Sequence, residues 1–222
     1  MTHVHDRPDG GVLLHADPAS VTANQKTMSL PPPDTQCGKP LMQALSERHS
    51  SREYGNAQLP MDVLSNLLWA AVGINRAQSG GRTAPSAHEW HEIDVYVATA
   101  DGLYIYDARS HALKQILDRD VRVLTGMQSF VAHAPLNLIY VADHSRMVEA
   151  EESDRLLYSA ADAGAISQNV NLFCASEGLA TVVRGLVKRT ALAKLLKLRP
   201  SQRVILAQSV GYPLGAPQGA HV

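Results

Sequence analysis

Arg48-His49-Ser50-Ser51-Arg52 puts two guanidiniums and two hydroxyls within five residues. An arginine offers a planar fork of donors that fits a phosphate or a polar ring edge, and a serine adds a compact hydroxyl. The run follows Leu41-Met42-Gln43-Ala44-Leu45, whose apolar pattern predicts a short helix, so the donors converge at a helix end. Two readings fit that cluster, an anion site and a merely solvated helix end, because exposed charged groups are common and contribute little.

Two later segments carry polar groups of the same kind. Ala84-Pro85-Ser86-Ala87-His88-Glu89-Trp90 leads into Ile93-Asp94-Val95-Tyr96-Val97, which alternates like a strand. Tyr158 to Leu172 carries the small residues Ala160, Ala161, Ala163, Gly164 and Ala165 and the polar Asp162, Gln168, Asn169 and Asn171. It runs on to Glu177-Gly178-Leu179-Ala180-Thr181-Val182-Val183-Arg184-Gly185. The small stripe reads as tight helix packing in a core, with a dimer seam as a special case. Amides on such a helix must find partners in loops or in a second chain.

Other chemistries lack their patterns. His88-Glu89-Trp90-His91 is one residue short of the i, i+4 spacing of a zinc helix. No glycine-rich run joins a strand to a helix, so there is no dinucleotide fingerprint and no phosphate loop. Ser86 has no Gly-x-Ser-x-Gly elbow. No paired carboxylates suit glycoside chemistry. His3, His5 and His15 are irregularly spaced, so no metal site is expected, and no protein-borne catalytic group stands out. A chain without its own reactive group fits cofactor chemistry, in which the protein supplies placement and electrostatics.

The elements that must hold these residues alternate. Met61, Val63, Leu64, Leu67, Leu68 and Ala71 recur at helical spacing after Pro60. Residues 93–97 and 103–106 form a hairpin through Asp101-Gly102. Leu136 to Val141 is a strand, Glu152 to Ser176 a long helix stopped near Gly178, and Thr181-Val182-Val183 a short strand. Thr190 to Leu198 is a basic amphipathic helix, and Val204 to Val210 is the last strand. Strands in hairpin order among helices predict an α+β sandwich with a mostly antiparallel sheet. Residues 1–39, with Pro31-Pro32-Pro33, read as an extended arm, residues 40–213 as the domain, and 214–222 as a loose tail.

Composition sets the bounds. With 222 residues, 45% apolar and 18% charged, the chain is long enough for a sizeable core and is neither disordered nor membrane-like. A net charge of −1 with no basic run gives no reason to expect nucleic acid. No apolar run reaches spanning length and no secretory pattern opens the chain, so a cytoplasmic protein is expected. Cys37 and Cys174 make no disulfide framework, and Cys174 sits in an apolar helical pattern as a buried thiol.

The three polar segments in this order, with Val204-Ile205-Leu206-Ala207-Gln208-Ser209-Val210-Gly211-Tyr212-Pro213 as a last core strand, resemble the nitroreductase family of FMN-dependent oxidoreductases. The resemblance spans residues 40–213 and implies an α/β/α sandwich built as an intertwined homodimer. It implies FMN as cofactor and NAD(P)H as hydride donor, with a flat, electron-poor small molecule, of nitroaromatic or quinone type, as acceptor in the same pocket. A relative that dehydrogenates a peptide-derived heterocycle, the azoline oxidase branch, and a flavin-binding protein without turnover are the alternatives. The family pattern carries Arg48 onto the FMN phosphate, His49 onto a backbone contact and Ser50 onto the phosphate or ribityl chain. It carries Arg52 onto the pyrimidine edge, where a cation stabilises the charge gathered on reduction. Pro85, Ser86 and Ala87 match the small loop beside the flavin, and the Val183-Arg184-Gly185 turn matches the segment near N5. Two departures stand out. Glu89 replaces a common Asn and cannot donate to flavin O4. No basic pair follows Gly211-Tyr212-Pro213, so phosphate binding leans on Arg48, or on Arg184, Lys188 or Arg189.

Overall fold

The computed structural model describes residues 26–215. The expected His3, His5 and His15, most of the arm and most of the tail lie outside these residues. The core is one seven-stranded sheet in the order β1-β6-β5-β4-β7-β9-β8. Its strands are β1 (Thr27–Ser29), β4 (Ile93–Thr99), β5 (Gly102–Asp107), β6 (Ala112–Leu117), β7 (Leu136–Asp143), β8 (Ala180–Arg184) and β9 (Gln202–Gly211). Every neighbouring pair is antiparallel. A small separate hairpin joins β2 (Ile74–Arg76) to β3 (Gly81–Arg82).

Alternation along the central strands explains the layers. Val95, Val97, Leu138 and Tyr140 face one core with α2 (Met61–Val72) and α3 (Glu152–Ser176), through Leu64, Leu67, Leu68, Ile166, Val170 and Cys174. Tyr96, Ala98, Ile139 and Val141 face the other side with Leu192, in the middle of α4 (Arg189–Leu195), and Leu196, just past its end. Successive strand residues point to opposite faces. Both faces are thus covered, and all eight residues of β7 are buried. The expected α+β sandwich is the observed one.

The long helix ends as its sequence predicts. Gly178 takes φ +67, and Leu179 N–H reaches back to Cys174 O at 2.8 Å, the left-handed glycine closure of a helix C-terminus. Helix α4 stops sooner than expected, with Lys197 at φ 52. The pattern did not reveal β1, β2, β3 or β6. The described part of the proline-rich arm is stitched to the domain, with a turn at Thr35-Gln36: Thr27 to Ser29 pair with Lys114 to Ala112, and Leu30 enters the main core. Among the described residues no helix is long and apolar enough to cross a membrane.

Candidate functional site

The Arg48–Arg52 cluster follows α1 (Leu41–Glu47), and the Arg48 N–H closes the helix on Ala44 O. From there the chain is pinned to the far edge of the sheet. Ser51 N–H donates to Thr181 O of β8 at 2.9 Å, Tyr54 pairs with Pro213, and the Tyr54 hydroxyl donates to Ser51 O. Burial pushes the Tyr54 phenol well above its ordinary range, so it stays a neutral anchor. His49 and Ser50 are exposed, and the His49 ring contacts Glu47 O. The Arg48 and Arg52 guanidiniums have no hydrogen-bond or ion-pair partner among the described residues. A cleft of about 160 Å³ lies beside the cluster, lined by His49, Ser51, Asn171, Cys174, Gly178 and Thr181.

Val183 and Arg184 are the last residues of β8 rather than a turn, and Gly185 follows exposed. Thr181, which holds Ser51, is three strand residues before Arg184, about 10 Å away. These residues therefore share one half of the candidate site. The Arg184 guanidinium does not point to solvent. It is 3% exposed and donates to Thr125 O at 2.9 Å and to Asn137 Oδ1 at 3.0 Å. Its Nε has no partner, and no carboxylate pairs with it. Burial pulls it down to about 10, still a cation at neutral pH. Asn137 also accepts from Ser209 Oγ at 2.6 Å, and its own amide donates to Val131 O. Arg184 is thus committed to this buried network, and Arg189 donates to the carbonyls of Val204 and Ile205. Neither is a free phosphate donor, which leaves Arg48, Arg52 and the exposed Lys188.

The Pro85–Glu89 loop is strained backbone. His88, Glu89 and His91 all take positive φ, at 50, 56 and 47°. Such conformations cost of order 1–3 kcal/mol each and collect at functional sites. The Ala87 N–H donates to Asp162 Oδ2 of α3 at 3.1 Å, and Ser86 Oγ accepts from His91 N–H. That hydroxyl donates to Glu92 Oε2 at 3.3 Å, so Ser86 points inward. Glu89 and His88 are exposed, and His88 stacks on Trp90 at 4.6 Å. Glu92 is fully buried with Oε1 unpaired. Burial, with the Asp162 carboxylate beside it, raises its carboxyl above the usual range. His91 Nδ1 and Arg82 Nε are likewise buried and unpaired, and both residues line the same small cavity as Glu92, Ser86 and Asp162. Polar atoms left open around a cavity of that kind are what an internal water satisfies. Asp162 stood out only as a polar residue on an apolar helix, and Glu92 and Asn137 gave no signal by type; all three act through contacts that the fold brings together.

The two candidate segments lie against different stretches of α3. Asp162 marks the Pro85–Ala87 half on α3, while Asn171 and Cys174 mark the Arg48–Arg52 half. Twelve helical residues separate Asp162 from Cys174, about 18 Å. Along this stretch and the turn just ahead of it, α3 has a face that the single chain leaves uncovered. Leu157 is 66% exposed, Ala160, Ala161 and Gln168 are exposed, and a Cβ at Gly164 would meet open space. The small residues therefore do not all pack in the core: Ala163 does, Gly164 and Ala165 are half-buried, and Ala160 and Ala161 are exposed. Among the described residues no group of three or more His, Cys, Asp or Glu is placed to hold a metal.

A profile described as the nitroreductase family matches residues 45–212. A protein of Methanocaldococcus jannaschii assigned as a nitroreductase is 32% identical over 183 residues, which cover 78% of this chain and 91% of that one. A crystal structure from Ralstonia eutropha, assigned likewise, is 45% identical with a TM-score of 0.83, covering 89% of this chain and 94% of that one. A structure from Desulfovibrio desulfuricans, assigned likewise and determined in complex with FMN, shares the fold at 22% identity and a TM-score of 0.58, covering 79% and 87%.

Proposed function

The chain belongs to the nitroreductase family of oxidoreductases, and we propose that it is an FMN-dependent enzyme working as a homodimer. In this reading it takes hydride from NAD(P)H and reduces a flat, electron-poor acceptor. The observation that carries it is the pair of guanidiniums, Arg48 and Arg52, without hydrogen-bond or ion-pair partners among the described residues, on a segment whose His49 and Ser51 line a cleft against β8. Free cations held on anchored backbone suit a ligand that carries both a phosphate and a ring with an acceptor edge.

The residues fit FMN on this chain's own terms. Arg48 and the Ser50 hydroxyl would hold the phosphate end, and Arg52 would lie along the polar edge of the ring. FMN, when bound, supplies the hydride-accepting chemistry. The protein's part is electrostatic: Arg52 is the cation within reach of that edge, and Arg184 adds a second, buried positive charge at the end of β8. Phosphate binding without a basic pair after β9 rests on Arg48, with Lys188 as the remaining free cation on that side.

The 18 Å of helix between Asp162 and Cys174 supports the homodimer. A second copy laid across the open face of α3 would bring its Pro85–Ala87 loop to the first copy's Arg48–Arg52 cluster. Leu41, Met42 and Leu45 of α1 and Leu156 and Leu157 of α3 are exposed apolar side chains that such an interface would cover. The test is an absorbance spectrum of the purified protein, with FMN titration, repeated after NADPH is added without oxygen. One flavin per chain and loss of its visible bands on NADPH addition are expected. A colourless protein that takes up no FMN refutes the reading.

A further inference from the structure

We propose that the cleft between the β2–β3 hairpin and the β5–β6 turn is a substrate subsite for an organic anion, with Arg82 and Arg109 gripping its phosphate or carboxylate. The ligand class deepens the oxidoreductase reading and rests on it. The anion site itself does not.

Charge pairing carries the inference. Two adjoining clefts, of about 870 and 450 Å³, share Arg82 and Arg109 in their walls. The smaller also holds Lys114, Arg146, Asp94 and Asp107. Both carboxylates are spent: Arg146 forks onto Asp94 at 2.8 and 3.0 Å, and Lys114 pairs with Asp107 at 2.6 Å. Two guanidiniums are left over. Arg82 has no hydrogen-bond acceptor for its side chain among the described residues, and its Nε is buried. Burial first, then the like charges of Arg146 and Arg109, lower its pKa, against the opposing pull of Asp94 and Tyr106. Its nearby carboxylate, Asp94, is already held by Arg146, so this half-buried guanidinium has no ion-pair partner of its own among the described residues, and a bidentate oxyanion is the partner its geometry suits.

The rest of the cleft describes the ligand's body. Leu30, Trp69 and Ile74 line one side, and Ile93, Ile105 and Trp90 the other. An apolar, aromatic wall with a few convergent polar groups is how small-molecule sites are built. Arg82 also borders the small cavity beneath Pro85 and Ser86, so the anion would be held next to the strained loop of the candidate site. That places it on a redox substrate. Two substrates can bring such a group: the 2′-phosphate of a phosphorylated nicotinamide donor, or the carboxylate of an acidic acceptor.

Inorganic phosphate is the first probe, titrated into the full-length protein by calorimetry. Arg82 is half-buried and its removal can disturb the fold, so the deciding variant is Arg109→Glu, on an exposed turn residue. A hydrogen bond to a charged group supports a ten- to hundredfold loss of phosphate affinity in that variant. Absent binding, or equal binding in the two proteins, overturns the site whether or not the protein holds FMN. Two kcat/KM ratios then identify the source, NADPH over NADH and 4-nitrobenzoate over nitrobenzene. A tenfold fall in the first assigns the subsite to the donor, and in the second to the acceptor. Constant ratios with phosphate binding lost refute the substrate role. A protein with no flavin and no turnover, yet with Arg109-dependent phosphate binding, refutes the oxidoreductase reading and leaves the anion site standing.

Discussion

Glu92→Gln will flatten the pH dependence of stability, and the sign follows from where the carboxyl sits. Glu92 is fully buried, one oxygen accepts from Ser86 and the other has no partner. Burial and the nearby Asp162 raise its pKa in the folded chain. In the unfolded chain it is an ordinary glutamate near about 4.3. Below that pH both states hold the proton and stability does not change on its account. As pH rises above it, the unfolded state releases a proton that the folded state keeps. Stability then falls by about 1.4 kcal/mol per pH unit, until the pH passes the folded pKa and the loss levels off. A glutamine is nearly isosteric, never ionises, and can donate to Asp162, so it removes this slope. Urea unfolding of both proteins between pH 4 and pH 8 gives the difference directly. Other titrating groups, including His91, whose pKa burial and Arg82 lower, occur in both chains and largely cancel. The variant is expected to gain on the native protein steadily as pH rises above about 4.3. A difference that stays constant across that range would show that Glu92 ionises normally in the fold.

Arg48→Ala is expected to weaken FMN binding about ten- to hundredfold, the range for a charged hydrogen bond, while Arg52→Ala chiefly lowers the flavin midpoint potential. Fluorescence titration and redox titration separate the two, and an unchanged potential in Arg52→Ala would remove that residue from the ring edge. Leu157→Asp on the open face of α3 is expected to give monomers that release FMN, read by light scattering with flavin fluorescence across a dilution series. A dimer that survives with its flavin would move the interface elsewhere. Gly211→Ala places a Cβ 2.4 Å from the Pro135 ring and 3.2 Å from Tyr54. Such overpacking costs about 1–3 kcal/mol, so the melting temperature will fall by several degrees, and an unchanged one would mean that the Pro135 loop shifts freely.

What was legible in the sequence was whatever repeats with a short period or announces itself by residue type. The apolar spacing of α2 and the glycine that ends α3 read directly, as did the alternation of β4. Strand β6, Ala112-Leu113-Lys114-Gln115-Ile116-Leu117, did not, because its apolar residues fall at i, i+1, i+4 and i+5 and suit a helix as well as a strand. Strand β1 is three residues long, too short for any period, and exists because β6 offers it an edge. The site divides the same way. Arg48 and Arg52 stand out by type and stay free, so reading them required no fold. Arg184 also stands out by type, yet it turns inward because β8 lies beside β9 in a register that lets it reach Asn137, 47 residues away. Asp162 looked like one polar residue on an apolar helix, and its partner at Ala87 is 75 residues distant. Order along the chain could bring the Pro85–Ala87 loop and the Arg48–Arg52 cluster into one list, but not into one pocket. The stretch of helix between their partners Asp162 and Cys174 spans about 18 Å, so in the proposed homodimer each site would draw one segment from each subunit. A second subunit that completes one half must complete both, since a two-fold axis repeats every contact it makes.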